Sequence, residues 1–258
     1  MRVLLIVAHP EAQSLTSSLS RVIIQQLQSE GHEVRTSDLY AMHWKSRVDR
    51  DDFPTYDKNL PLRSAIASYM GHASHTLTAD VVAEQEKLLW ADTVILQFPL
   101  WWYGMPAILK GWVDRVFSCG FAYGVGEHNA KHWGDRYGEG VFKGKRAMLV
   151  VAAGGDESNY GARGICGPIE DLLFPINHGM LFYTGFDVLP PFVTYRSDRM
   201  DQAGFEHQAG SLRERIRTLS STNPIPYRCQ NLGDYEIPAL TLRQDIDSGN
   251  QGFGIHQR

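Results

Sequence analysis

The sequence predicts an α/β fold built on a doubly wound parallel sheet. Short apolar runs of strand length alternate along the chain with longer segments whose apolar residues recur at helical spacing. Strands that alternate with helices pair in parallel, and the helices then cover both faces of the sheet. The chain has 258 residues, which is long enough to bury the core of such a fold without disulfide support.

Each predicted element has its own signal. The strands are apolar runs, and by residue number they are 2–8, 33–38, 92–97, 145–153 and 187–194. The helices have an apolar face, and they are 14–30, 78–90, 107–119, 167–183 and 201–219. Gly31 can end the first helix, Thr78 is a candidate N-cap, and Pro106 can start the third helix. Pro190 and Pro191 indicate that the last strand lies at an edge of the sheet.

Three segments lack this periodicity. Residues 49–75 are expected to form a long excursion, 120–144 a loop rich in Gly and His, and 222–258 a polar tail. We therefore expect one α/β domain over 1–220 and a C-terminal extension over 221–258. Five strands suit the flavodoxin-like order 2-1-3-4-5, in which ligands bind beyond the carboxyl ends of the strands.

Composition excludes several classes of protein. The net charge is −4 and no basic stripe is present, so we expect no nucleic-acid partner. Cys119, Cys166 and Cys229 are far apart, which suits a reducing cytoplasm better than a disulfide framework. The apolar N-terminus stops at His9 without a cleavage site, and no apolar run is long enough to cross a membrane.

The loop after the first predicted strand lacks the common glycine-rich nucleotide patterns. Instead it has hydroxyl side chains where the first helix begins, at Ser14, Thr16, Ser17 and Ser18. Free N–H groups and hydroxyls at a helix N-terminus can hold a phosphate group. Plain N-capping is the alternative, because Ser and Thr cap helices routinely.

The loop after the third strand places Trp101, Trp102 and Tyr103 directly before Gly104. Such a loop can pack a flat ring system against its aromatics. The alternative is an aromatic cluster in the core, where aromatic side chains are common.

The loop after the fourth strand contains Gly154 and Gly155, which let backbone approach a ligand closely, and Tyr160, whose hydroxyl can reach a ring edge. The alternative is a glycine-rich turn with a surface tyrosine. All three loops belong to the same rim of the predicted sheet, which favours a ligand site. His128 and His132 are four residues apart, beside Glu127, which is a spacing that can bind a metal on a helix. The stretch is flanked by glycine and typical of a loop, and no third ligand is evident beyond this group, so we expect no metal site.

Several stretches form a combination specific to one family: Ser37–Met42, Asp80–Gln85, Phe98–Leu100 with Trp102 and Gly104, Pro106–Phe117, Phe121–Tyr123, Gly154 and Gly155 with Tyr160, and Pro175-Ile176 with Gly185-Phe186. Together they resemble the flavin-dependent NAD(P)H:quinone oxidoreductases of the DT-diaphorase type, over about residues 1–194. The resemblance implies a flavodoxin-like fold, FAD rather than FMN, NAD(P)H as electron donor, and a homodimer.

The resemblance also implies roles for individual residues. The pyrophosphate would be held by His9, Leu15 and Thr16. The isoalloxazine ring would contact Leu100, Trp101, Trp102 and Tyr103. The pyrimidine end of the flavin would be covered by Ala152, Ala153, Gly154 and Gly155. The hydroxyl of Tyr160 would bond the carbonyl edge of the flavin. The quinone and nicotinamide pocket would include Ala122, Tyr123 and Gly124, and Cys166 is a further candidate substrate-binding residue.

One departure from the family pattern concerns Cys166. In the animal enzymes a histidine follows the Gly-Ile pair, whereas Cys166 follows Gly164 and Ile165 here. A thiol is a weak hydrogen-bond donor, so Tyr160 and the backbone of Gly154 and Gly155 would stabilise the charge that develops on the flavin. The resemblance thus implies two-electron, ping-pong reduction of quinones through flavin N5. Reduction of azo or nitro compounds, or a flavin-binding regulatory subunit of a membrane transport protein, are the alternatives.

Overall fold

The computed structural model describes all residues, 1–258, in eight strands and six α-helices. The strands are β1 (Arg2–Val7), β2 (Glu33–Asp38), β3 (Thr93–Pro99), β4 (Arg146–Ala152), β5 (Asp187–Val188), β6 (Phe192–Thr194), β7 (Tyr235–Glu236) and β8 (Thr241–Leu242). The helices are α1 (Leu15–Ser29), α2 (Ser64–Ala73), α3 (Ala79–Trp90), α4 (Ala107–Val116), α5 (Ile169–Ile176) and α6 (Gln202–Arg217).

The main sheet has the order β2-β1-β3-β4-β5, and β6 pairs with β4 further along the same edge. All its pairings are parallel. The predicted fold class and strand order are therefore confirmed. The carboxyl ends of β1, β3, β4 and β6 form one rim, which we call the carboxyl rim.

Side chains of the central strands alternate between two hydrophobic cores, as the two-residue period of a strand requires. Leu4 and Ile6 pack with α4 on one face, where Trp112 is fully buried. Leu5 and its neighbours pack with α1 and α6 on the other face, where Leu19 is buried. Helices thus cover both faces of the sheet, which leaves the carboxyl rim as the open side.

Three predicted elements differ from the structure. The last predicted strand is two short strands, because Pro190 and Pro191 lack the N–H groups that pairing needs. The segment over 49–75, predicted as a long loop, contains α2. The Pro, Asp and Ser residues in this segment are typical of loops and hide the helical spacing of its apolar residues. The helix predicted over 167–183 begins at Ile169 and continues beyond α5 as a π-helical turn, Asn177–Phe182.

The C-terminal tail folds back over the protein. The N–H of Ile225 donates to the carbonyl oxygen of Val188 at 2.7 Å, so the tail bonds to the edge strand β5. Gln230 is buried and accepts a bond from Arg136 Nε at 2.8 Å. The strands β7 and β8 form a short antiparallel pair. None of the helices combines the length and the apolar character needed to cross a bilayer.

Candidate functional site

A cleft of about 400 Å³ opens at the carboxyl rim. Its walls come from the loops that follow β1, β3, β4 and β6, as the strand order requires. The lining residues are His9, Ser14, Leu15, Thr16, Pro99, Leu100, Trp101, Ala152, Gly154, Ser197 and Asp198. Seven of the predicted cofactor residues are therefore brought together in one place.

The N-terminus of α1 opens into this cleft. Ser14 is the N-cap, and its Oγ accepts a bond from the N–H of Ser17 at 3.1 Å. The N–H groups of Leu15 and Thr16 have no acceptor in the chain. Buried Gln97 holds this end of the helix in place, because its Nε2 donates to the carbonyl oxygen of Thr16 at 2.7 Å. Capping and ligand binding are therefore compatible here: two N–H groups remain available to an anion.

The turn after β3 is closed and strained. Trp101 and Gly104 exchange two backbone hydrogen bonds of 3.2 and 3.1 Å. The two residues between them, Trp102 and Tyr103, have φ angles of 50° and 59°. Large side chains rarely adopt these values, which cost about 1–2 kcal/mol per residue. The strain leaves the N–H groups of Trp102 and Tyr103 without acceptors.

The aromatics of this turn do not form a core cluster. Trp102 is 96% exposed and Tyr103 is 53% exposed. Trp101 lies partly over His9, with ring centroids 6.0 Å apart. In the isolated chain, the positive φ angles and the exposure of the Trp102 indole to water both cost free energy. The arrangement therefore favours a surface that something flat covers.

The loop after β4 brings Tyr160 against its own backbone. A Cβ atom at Gly155 would lie 3.0 Å from the Tyr160 ring and 3.3 Å from its hydroxyl, so glycine permits this close approach. Arg196 donates its N–H to the carbonyl oxygen of Gly155, and the N–H of Ala153 donates to Thr194. The loop is thus fixed from the side of β6.

Tyr103 and Tyr160 approach the same thiol. The Tyr103 hydroxyl donates to Sγ of Cys166 at 3.6 Å, and this bond raises the pKa of Tyr103. Burial, with a smaller effect from Cys166, raises the pKa of Tyr160. Both phenols therefore remain protonated near neutral pH and can donate hydrogen bonds. Cys166 links the second and third predicted loops.

The remaining predicted substrate residues lie elsewhere in the chain. Ala122 is buried in the core, Gly124 has a φ of 71°, and a Cβ there would lie 2.7 Å from Sγ of Cys119. Tyr123 is half-buried, and burial raises its pKa. These three residues are not among those that line the cleft.

The structure brings together a different group of possible metal ligands from the one that the sequence pattern suggests. Ligand atoms of His132, Asp135 and Glu139 lie within 4.8 Å of one another, without Glu127 or His128. His132 Nε2 and Asp135 Oδ1 are 2.7 Å apart, and Asn231 donates to Glu139 at 2.7 Å. The protein itself thus supplies partners to each member.

Sequence reasoning missed the contribution of the segment after β6. Ser197 and Asp198 line the cleft, and Asp198 is the only acid that does so. A second cleft of about 350 Å³ begins beside them, with Tyr195, Arg196 and Arg199 among its walls. The sequence contains a signal for this contribution, because the fifth predicted strand is also parallel and ends at the carboxyl rim. The loop that follows it therefore lies beside the other three loops.

Comparisons with known proteins agree with the fold described above. The family model described as "Flavodoxin-like fold" matches residues 1–216. A ribosyldihydronicotinamide dehydrogenase-like protein, traD, from Penicillium crustosum is 56% identical and covers 100% of this chain and 96% of its own length. NAD(P)H dehydrogenase [quinone] 1 from Cavia porcellus is 34% identical, and the match covers 98% of this chain and 91% of the relative's length. The similarity therefore extends beyond residue 194 into the tail.

A solved structure from Klebsiella pneumoniae is similar along the whole chain. It is a crystal structure of a candidate quinone reductase from Klebsiella pneumoniae, with 58% sequence identity and a TM-score of 0.98. It covers 100% of both chains.

Proposed function

This chain belongs to the flavodoxin-like fold family, and on that premise we propose that it is an NAD(P)H-dependent quinone oxidoreductase with a bound flavin. Relatives named as quinone dehydrogenases, at 34–35% identity over most of this chain, support the reaction class. The carboxyl rim favours a bound flavin, because it combines a helix N-terminus that has free N–H groups with an open aromatic turn that has positive φ angles.

The single observation that carries the proposal is the turn at Trp102 and Tyr103. Its two free N–H groups and exposed rings fit the polar edge and the flat face of an isoalloxazine. The N–H groups of Leu15 and Thr16, at the positive end of the α1 dipole, fit the phosphate. His9 and Leu100 complete this wall.

We propose FAD rather than FMN as the cofactor. The second cleft lies beside Ser197 and Asp198, and its lining includes the guanidinium groups of Arg196 and Arg199 and the Tyr195 ring. Arg196 Nε also pairs with Asp156 at 3.2 Å, and the acids Glu157 and Asp201 line the same cleft. These groups suit the adenosine half of FAD, which FMN lacks. Asp198 would accept hydrogen bonds from cofactor hydroxyls.

When bound, the flavin supplies reversible two-electron, hydride-transfer chemistry at N5. The protein's part is positioning and charge stabilisation. Tyr160 would donate its hydroxyl proton in a hydrogen bond to the carbonyl edge where negative charge develops, and the backbone beside Gly154 and Gly155 would do the same. Ala152 and Ala153 hold that loop against the sheet. Donor and quinone would use this one site in turn, in a ping-pong cycle.

We further propose a homodimer in the cytoplasm. Tyr123 and Gly124 lie away from the cleft of their own chain, so a second copy can bring them to it as the quinone-binding wall, with Ala122 supporting them from the core. Three free thiols suit a reducing compartment. Sedimentation equilibrium tests the dimer: a monomer at micromolar concentration contradicts it.

The reaction is tested with purified protein. We expect a yellow protein that retains FAD through gel filtration, is bleached by NADH or NADPH, and is reoxidised by a quinone such as menadione. Trp102→Gly should release the flavin, whereas His43→Gly, at another residue with positive φ, should not. A wild-type protein that takes up neither FAD nor FMN contradicts the proposal.

A further inference from the structure

A separate cavity of about 350 Å³ lies between the core and the C-terminal tail. One side of the cavity comes from the loop between α4 and β4, from α5 and from the π-helical turn that follows it. The C-terminal tail forms the other side. None of its lining residues lines either cleft at the carboxyl rim. Within one chain the cavity is therefore separate from the clefts proposed for the cofactor.

The walls of this cavity are flat. The Phe174 ring stacks on His178 at a centroid distance of 4.5 Å and on Phe253 at 4.3 Å. Tyr137 lies 4.9 Å from His178, and His256 lies 5.5 Å from it. Aromatic walls of this kind fit a planar, ring-shaped ligand.

The cavity also holds unsatisfied polar groups. His178 is 9% exposed, and its buried Nε2 has no hydrogen-bond partner. Burial lowers the pKa of His178 to about 4, so the ring is neutral and offers one donor and one acceptor. A buried polar atom without a partner is costly unless a ligand satisfies it.

The charge of the wall is positive. Arg136 donates through Nε to Gln230, while its two terminal nitrogens have neither a hydrogen-bond acceptor nor a carboxylate partner. The wall contains no Asp or Glu, although the chain as a whole has a net charge of −4. Two free guanidinium nitrogens in a fixed fork match a carboxylate.

We propose that this cavity binds a planar aromatic carboxylate. Arg136 holds the carboxylate, the aromatic part packs against the stacked pair of Phe174 and Phe253 rather than between them, and His178 bonds a second polar substituent on the ring. The site is distinct from the flavin cleft, and the proposal does not rest on the proposed reaction.

Isothermal titration with 3-hydroxy-2-naphthoate tests the proposal. We expect one site per chain in the wild type and binding of 2-naphthol, which lacks the carboxylate, that is weaker by about tenfold or more. Arg136→Gln should weaken the acid by about tenfold or more and leave 2-naphthol unchanged. Arg213→Gln, at an arginine on α6 that does not line the cavity, serves as the matched control and should bind normally.

Two further variants test the other walls. His178→Phe should weaken 3-hydroxy-2-naphthoate but not 2-naphthoate, which lacks the hydroxyl. Phe253→Ala, at a side chain that is 46% exposed, should weaken both acids without unfolding the core. Equal affinity in wild type and Arg136→Gln overturns the proposal, as does displacement of the acid by FAD. Because the readout is direct binding, a protein without flavin or turnover still gives a clear answer.

Discussion

The hydroxyl of Tyr103 and Sγ of Cys166 are 3.6 Å apart, although 63 residues separate them in sequence. This contact joins the aromatic turn after β3 to the loop after β4. Tyr160 lies beside the same thiol, close enough for Cys166 to raise its pKa. A side chain at position 166 can therefore affect both proposed flavin-binding loops.

Cys166→His tests what the thiol does. We expect flavin affinity to be unchanged and the rate of flavin reduction by NAD(P)H to stay equal or rise, because an imidazole is a better hydrogen-bond donor than a thiol. Stopped-flow absorbance measures the rate, and Cys119→Ser is the control. A large fall in the rate would mean that the thiol itself takes part.

Tyr160→Phe removes the proposed donor with little change in shape. We expect the rate of flavin reduction to fall by about 100-fold, the lower end of the range seen when one such donor is lost. Tyr69→Phe, at a 53% exposed tyrosine that lines neither cleft of the carboxyl rim, is the matched control and should reduce its flavin at the wild-type rate. Similar rates for wild type and Tyr160→Phe would remove this residue from the mechanism.

Trp102→Gly should change stability and binding in opposite directions. Glycine relieves the positive φ angle, so we expect the flavin-free protein to gain about 1 kcal/mol in urea unfolding while flavin affinity falls. His43→Gly relieves a φ of 50° in an exposed turn and should stabilise without changing flavin affinity. A loss of stability in Trp102→Gly would show that the turn is not strained.

Ser14→Ala removes the cap of α1. We expect the free energy of unfolding to fall by about 1 kcal/mol, because the helix cap is lost. The affinity for FMN, used here as a probe that carries a phosphate but lacks the adenosine half of FAD, should fall with it, because the cap orients the N–H groups of Leu15 and Thr16. Asp201 caps α6 through a bond of 2.8 Å to the N–H of Gly204. Asp201→Ala should therefore lower the free energy of unfolding by about as much as Ser14→Ala, about 1 kcal/mol, but leave the affinity for FMN unchanged.

His178 predicts a dependence of stability on pH. Its pKa is about 4 in the folded protein and close to 6.5 when unfolded, so below pH 6.5 the unfolded chain binds more protons. The free energy of unfolding should fall as pH drops from 6.5 towards 4, by up to about 3 kcal/mol. His178→Phe should flatten this part of the profile relative to the wild type in urea titrations. Parallel profiles would mean that the buried ring becomes charged without penalty.

The sheet and its order followed from the sequence because periodicity reports burial directly. Helix α2 did not, since Pro, Asp and Ser around it are typical of loops and its helical face is short. The pattern of the tail predicts a polar extension, because Ile225, Tyr227 and Cys229 do not recur with a regular period. Their burial depends on contacts with α5 and β5 that no local pattern contains.

For the candidate site, the lining of one cleft was predictable because strand ends converge. Seven of the predicted residues, including His9 and Gly154, line it. The exposure of Trp102 was not predictable, because a run of aromatics is equally compatible with a core. Only the positive φ angles and the free N–H groups distinguish the two cases.

The bond from Ile225 to Val188 has a consequence for solubility. A sheet edge with unpaired backbone groups invites pairing with other chains, and proline and covering segments are common protections. Here Pro190 and Pro191 interrupt the edge strand and the returning tail occupies the backbone next to them. Removal of the tail would thus expose an aggregation-prone edge, and a shortened chain should form insoluble assemblies before its cofactor chemistry could be compared.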